Sequence, residues 1–132
     1  MNAPLVTFRV GLTDTSTEDF LARTSDRTVI ADARAELALA EDQRRRHITG
    51  PIHRVPAGQN LHWSWQHEDS AWSFAQFSIE LCDGRPSYVE AHLDAWLSGV
   101  GRFCPWSCHV KEEVDSGRAG KFVQVPPPAP GD

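Results

Sequence analysis

The chain has 132 residues, of which 40% are hydrophobic and 23% are charged, and its formal net charge is −5. These values are typical of one globular domain whose core is large enough to fold without added cross-links. The negative charge argues against binding to nucleic acid or to an anionic membrane surface, because both need a basic face. We therefore expect neither as a partner.

The beginning of the chain favours neither export nor membrane insertion. Met1-Asn-Ala-Pro lacks the basic segment and long apolar run of a signal peptide. No apolar run approaches the roughly 20 residues of a membrane span. As written, the chain is expected in the cytoplasm, although the location stays open.

The first third of the chain predicts two strands and a helix. Val6 to Gly11 alternates in polarity, and Phe20 to Arg23 forms a short second strand that either pairs with the first or leaves it as an extension of the sheet edge. Ser25 is a candidate helix N-cap, with Asp26 in the first turn. Apolar residues then recur at helical spacing as far as Ala40, and the helix is expected to end near Arg45.

The next strand, from His47 to Val55, is interrupted by Gly50-Pro51. Proline has no backbone N–H to donate to a ladder, so this segment is predicted to be an edge strand or to contain a bulge. The Pro56-Ala-Gly-Gln-Asn60 loop follows.

The segment from Asn60 to Asp83 predicts a β-hairpin at the centre of the domain. It holds three of the five tryptophans, with a turn at Asp69-Ser70 between the two predicted strands. Phe77, Ile79 and Leu81 share one face of the second strand, because alternate residues point the same way. That face is expected to lie in the core.

The remainder predicts a second helix, a last strand and a tail. Pro86 suits a first helical turn, and Ser87 with Glu90 has the spacing of a capping box. The predicted strand order gives an α+β fold, in which a mainly antiparallel sheet of four to five strands carries two helices on one face in a ferredoxin-like arrangement. We expect residues 1–18 to be an N-terminal strand extension, residues 19–114 one α+β domain, and residues 115–132 a flexible proline-rich tail, with Lys121 to Val125 at most an added edge strand.

Several stretches resemble a known family. The most specific are Ile79-Glu-Leu-Cys-Asp-Gly-Arg-Pro-Ser-Tyr-Val-Glu-Ala-His-Leu-Asp94 and Phe103-Cys-Pro-Trp-Ser107. They resemble the domain at the start of certain slime-mould calmodulin-binding proteins, which also occurs as short stand-alone bacterial proteins. The chain differs from that pattern at His62, where the pattern has Pro, and at Cys108, where it has Ser. The resemblance implies a non-catalytic binding domain and gives no catalytic residue to carry over.

The three cysteines allow one disulfide and one spare thiol. If the last strand lies beside the central one, Cys82 and Cys104 could reach disulfide distance; otherwise both are buried thiols. Cys104, Cys108 and His109 offer only three metal ligands at an unusual spacing, so no metal or other cofactor is expected. A small metal- or thiol-dependent enzyme that uses these residues and His67 remains an alternative.

The loop after Gly50 is the most suggestive binding feature of the sequence. Arg54 is flanked by Pro51 and Pro56, and an extended arginine between prolines has the shape of a protease-inhibitor loop. Its predicted partner-binding residues are His53, Arg54, Val55, Asn60 and Trp63, although Trp63 is equally consistent with the core.

The sequence therefore predicts a non-catalytic protein-binding module. Its sharpest hypothesis is inhibition of a serine protease through Arg54. The alternative partner is a regulatory protein such as calmodulin, which usually binds a basic amphipathic helix. Neither predicted helix is basic overall, which counts against that alternative.

Overall fold

The computed structural model describes residues 4–114 as an α+β fold of seven strands and three α-helices. The strands are β1 (Val6–Gly11), β2 (Phe20–Thr24), β3 (His47–Arg54), β4 (Trp65–His67), β5 (Ser73–Ala75), β6 (Arg102–Phe103) and β7 (His109–Val114). The α-helices are α1 (Arg27–Leu37), α2 (Pro86–Ala91) and α3 (Leu93–Ser98), and short 3₁₀ helices cover Glu41–Gln43 and Glu80–Cys82. The predicted tail from residue 115, including the predicted strand at Lys121 to Val125, lies outside the described residues.

The first sheet has the order β2-β1-β7, and both pairings are antiparallel. β1 and β2 form the hairpin that was one of the two predicted arrangements. β1 is the middle strand of this sheet, and its side chains Phe8 and Val10 are fully buried. Alternation therefore identified the strand correctly, and its inner face belongs to the core.

The second sheet is built around β3, which pairs along its whole length. Residues 47–49 pair with β5, Gly50 and Pro51 with β6, and residues 52–54 with β4. The prediction of an edge strand is therefore wrong. Gly50 is required because a Cβ there would lie 2.7 Å from the Cβ of Trp72, so the interruption read from the sequence is a close-packed crossing point.

The predicted central hairpin is also different in the structure. β4 and β5 both pair with β3 rather than with each other, and residues 68–72 connect them. Within that connection Ser70 has a φ of 61° and donates its backbone N–H to the Arg23 carbonyl on β2, at 3.0 Å. The connection thereby ties the two sheets together.

The helices are shorter than predicted. Asp26 rather than Ser25 caps α1, since its carboxylate accepts the N–H groups of Thr28 and Val29 at 2.9 and 3.2 Å. The helix stops at Leu37, whose carbonyl accepts a hydrogen bond from the Arg44 guanidinium at 3.3 Å. The predicted second helix is divided at His92 into α2 and α3.

The core is dominated by aromatic side chains from both sheets. Phe20, Trp65, His67 and Phe103 are fully buried and their rings lie 5.2–6.1 Å apart. The structure confirms the α+β class with mainly antiparallel sheets, but in place of one sheet it has two, of three and four strands, and the ferredoxin-like arrangement is not confirmed. No helix within residues 4–114 is long and apolar enough to cross a membrane.

Candidate functional site

Arg54 lies at the end of β3 and is held within the sheet. It is opposite Trp65 in the β3–β4 register, and the next residue, Val55, donates its N–H to the Ser64 carbonyl at 2.9 Å. The Arg54 guanidinium forms an ion pair with Asp94 on α3. A protease-inhibitor loop needs a protruding backbone and an available arginine, and here both are engaged within the domain.

The other residues predicted around Arg54 are mostly structural. Val55, Asn60 and Trp63 are buried. The Asn60 amide accepts the Leu21 N–H at 2.7 Å and donates to the Trp65 carbonyl at 2.6 Å, so it joins the two sheets. Only His53 and Arg54 present much side-chain surface, and His53 lies 4.0 Å from Glu68.

The residues of the predicted enzyme alternative do not form a reactive group. Cys82 and Cys104 form a disulfide in the structure, with Cα atoms 5.3 Å apart, so Cys104 is not a free thiol. Burial raises the pKa of the Cys108 thiol to about 12, which keeps it protonated and poorly nucleophilic. Burial also lowers the pKa of His67 to about 4, and its Nε2 is 2.8 Å from the Phe103 carbonyl.

The metal hypothesis gains no support from side-chain placement. Within residues 4–114, no group of three or more His, Cys, Asp or Glu side chains could hold a metal ion. His109, the remaining member of the predicted set, instead lies 3.1 Å from the Glu41 carboxylate.

The most exposed apolar side chains lie just after β5. Phe77, Ile79 and Leu81 are 89%, 65% and 69% exposed, and we call these three residues the apolar ridge. The prediction that they face the core is wrong. Tyr88 on α2 and Trp106 after β6 are also exposed large apolar residues close to the ridge. Contiguous exposed apolar surface of this kind is characteristic of interaction sites.

The apolar ridge is fastened to the domain at several points. The Cys82–Cys104 disulfide follows it directly, and the Cys104 N–H donates to the Cys82 carbonyl at 2.8 Å. Within the ridge, the Ser78 hydroxyl lies 2.7 Å from both the Trp106 indole nitrogen and Nε2 of His47. The Trp106 N–H also donates to the Asp83 carboxylate at 2.7 Å. An exposed apolar segment is thereby kept in one conformation.

A cleft lies at each end of the apolar ridge. At the Phe77 end, a small cleft of about 160 Å³ is lined by Phe77, Trp106, Arg45 and His47. At the Leu81 end, a cleft of about 940 Å³ has a mainly apolar lining with a charged rim; its residues include Leu81, Tyr88, Trp96, Val100, Glu80, Asp83 and Arg85. Gly84 lies over the Trp96 ring, where even a Cβ would approach to 3.4 Å.

Sequence reasoning missed the ridge because it took the strand to be too long. Continuing the β3–β5 register would place Gln76, Phe77 and Ser78 opposite Arg46, Arg45 and Arg44, but β3 begins only at His47. The run of three arginines before His47 is therefore the signal that could have located the end of β5. Without a partner strand, the alternating residues that follow stay outside the core.

Comparison with known proteins identifies the family. A family model that describes the N-terminal domain of a calmodulin-binding protein matches residues 6–117. No curated protein and no solved structure matches the chain. The family match covers both sheets, the helices and the apolar ridge, and it confirms the resemblance inferred from the sequence.

Proposed function

This chain belongs to the family of calmodulin-binding-protein N-terminal domains, and from that premise we propose that it is a non-catalytic protein-binding domain that contacts a calmodulin-type regulatory partner through its apolar ridge. The observation that carries the proposal is the exposure of Phe77, Ile79 and Leu81 beside the exposed Tyr88 and Trp106. Aromatic residues of this kind dominate the binding energy of protein interfaces.

The rigidity of the ridge supports this proposal. Binding normally loses free energy when loops and side chains become ordered, about 0.5–1.5 kcal/mol for each flexible side chain that is immobilised. Here the disulfide and the hydrogen bonds of Ser78 and Asp83 hold the backbone before any partner arrives. The ridge can therefore present its side chains at a lower ordering cost than a flexible loop.

The chemistry of a calmodulin-type groove suits the apolar ridge. Calcium opens such a protein and exposes a groove rich in methionine, whose flexible side chains adapt to anchors of different shapes. None of the three α-helices that the structure describes carries a net positive charge, so the usual basic-helix mode does not apply. The proposed mode uses apolar anchors on a fixed segment instead, with Arg45 and Arg85 near its two ends.

Titration of fluorescently labelled calmodulin with the purified chain, in calcium and in chelator, tests the proposal. We expect binding only in calcium, weakened at least about tenfold in the triple variant Phe77→Ser, Ile79→Ser, Leu81→Ser, because each change removes an apolar anchor. Leu39→Ser is the matched control, since Leu39 is 43% exposed and lines neither cleft. Absence of binding in calcium at high micromolar concentration would refute the calmodulin-type partner.

Protease inhibition through Arg54 remains the second hypothesis from the sequence, and we do not favour it. The ion pair with Asp94 and the sheet pairing of the Arg54 backbone both oppose insertion into a protease cleft. The same purified protein, added to trypsin, tests this directly. Stoichiometric inhibition that is lost in Arg54→Ala would restore the inhibitor hypothesis.

A further inference from the structure

The two ends of the apolar ridge differ in shape. The Phe77 end projects the more strongly, because Phe77 is 89% exposed beside a cleft of only about 160 Å³. The Leu81 end is concave, because the cleft of about 940 Å³ opens there between Leu81, Tyr88 and Trp96. One end is thus a projecting aromatic side chain, and the other is an apolar cavity large enough to receive one.

The two ends also differ in charge. At the Phe77 end, the only charged side chain in the cleft lining is Arg45, which is paired with no side chain that the structure describes. His47 adds no positive charge there at neutral pH, because burial lowers its pKa. At the Leu81 end, the carboxylates of Glu80 and Asp83 outnumber the one guanidinium of Arg85. The ends therefore carry net charges of opposite sign.

A surface with a projection and a cavity of opposite charge is complementary to itself. We propose that the apolar ridge binds the apolar ridge of a second copy of this chain in an antiparallel, two-fold arrangement. A two-fold axis near Ile79 places Phe77 of each copy in the Leu81-end cleft of the other. The same operation brings Arg45 of each copy toward Glu80 of the other, and a two-fold interface forms every such contact twice.

This inference shares its surface with the proposed function, so a second copy and a regulatory partner would compete for the apolar ridge. Self-association would shield the apolar side chains from water whenever the partner is absent. Because the contact is confined to one ridge and two clefts, we expect a weak dimer whose population depends on protein concentration.

Sedimentation equilibrium from micromolar to millimolar protein tests the inference by charge reversal. Arg45→Glu and Glu80→Arg should each weaken the dimer about tenfold, because each places like charges opposite one another. The double variant Arg45→Glu, Glu80→Arg restores opposite charges and should return to within about threefold of the wild type. Phe77→Ala should also weaken the dimer, because it removes the projecting side chain.

Two controls and two contrary outcomes complete the test. Arg27→Glu makes the same charge change at the start of α1, and Leu39→Ala truncates an exposed apolar side chain elsewhere, so neither should alter self-association. A chain that stays monomeric throughout, or a double variant no tighter than the single variants, would overturn the inference. A monomer that still binds calcium-loaded calmodulin leaves the proposed function standing, whereas a dimer that binds no calmodulin refutes the function alone.

Discussion

Phe77 and Phe103 have the same side chain and opposite environments. Phe103 is fully buried on β6, where its ring lies 5.2 Å from Trp65 and 5.8 Å from His67, whereas Phe77 on the apolar ridge is 89% exposed. Both occur in short extended segments close to a cysteine of the same disulfide. The difference is that β6 pairs with β3 and the ridge has no partner strand within the described residues. Strand pairing, rather than residue type, decides which apolar side chains enter this core.

Truncation of each phenylalanine measures the difference directly. Phe103→Ala should lower the free energy of unfolding by about 3–5 kcal/mol, since it leaves a cavity among packed aromatic rings. Phe77→Ala should change it by no more than about 0.5 kcal/mol, because the side chain is already in water. Urea unfolding of both variants provides the comparison. Equal destabilisation would mean that the apolar ridge packs into the core.

Removal of the disulfide should affect both regions. Cys82 and Cys104 are 22 residues apart, and a cross-link closing a loop of that size restricts the unfolded chain enough to stabilise the fold by about 3 kcal/mol. The double variant Cys82→Ser, Cys104→Ser should lose about that much in urea unfolding. It should also weaken binding at the apolar ridge, because Ile79 to Cys82 would no longer be anchored to Cys104.

Cys108→Ser is the matched control for the disulfide variant. Cys108 is the free cysteine and lies under the same part of the domain without cross-linking it. Its loss should leave ridge binding unchanged, although the buried hydroxyl lowers stability somewhat. If the disulfide variant bound its partner as tightly as the wild type, anchoring of the ridge would have no part in recognition.

The local signals for strands and caps were read correctly more often than the pairing of strands. Alternation located β1, Asp26 was expected in the first turn of α1, and Pro86 does begin α2. These features depend on neighbours within a few residues. The pairing of Gly50 with Phe103 depends on residues more than fifty positions apart, and no local pattern encodes it. The single predicted sheet therefore became two.

The candidate site was harder to predict for the same physical reason. Phe77, Ile79 and Leu81 have the period of a half-buried strand, and only the end of β3 at His47 leaves them exposed. Arg54 misled in the opposite direction, because flanking prolines suggest a rigid loop whatever the arginine contacts. Its pairing with Asp94, forty residues away, is visible only in three dimensions. The resemblance to a family, by contrast, needed no such contacts.

Acid provides a third means of separating the core from the apolar ridge. Burial lowers the pKa of His67 in the core to about 4, below the 6.5 of an exposed histidine. Between these values the unfolded chain binds the proton and the folded chain does not, so stability is complete above about pH 6.5 and falls as the pH is lowered toward 4. From pH 7 to pH 5 the loss from this one residue should be about 2 kcal/mol.

The variant His67→Gln assigns that loss to the core. A glutamine amide can still donate to the Phe103 carbonyl but does not titrate, so urea unfolding of this variant should depend less on pH than that of the wild type. His47, beneath the apolar ridge, also has a pKa lowered by burial, and the matched variant His47→Gln should remove a smaller part of the same dependence. If His47→Gln removed the larger part, the acid-sensitive contact would lie under the ridge, and the ridge rather than the core would be the first region to yield in acid.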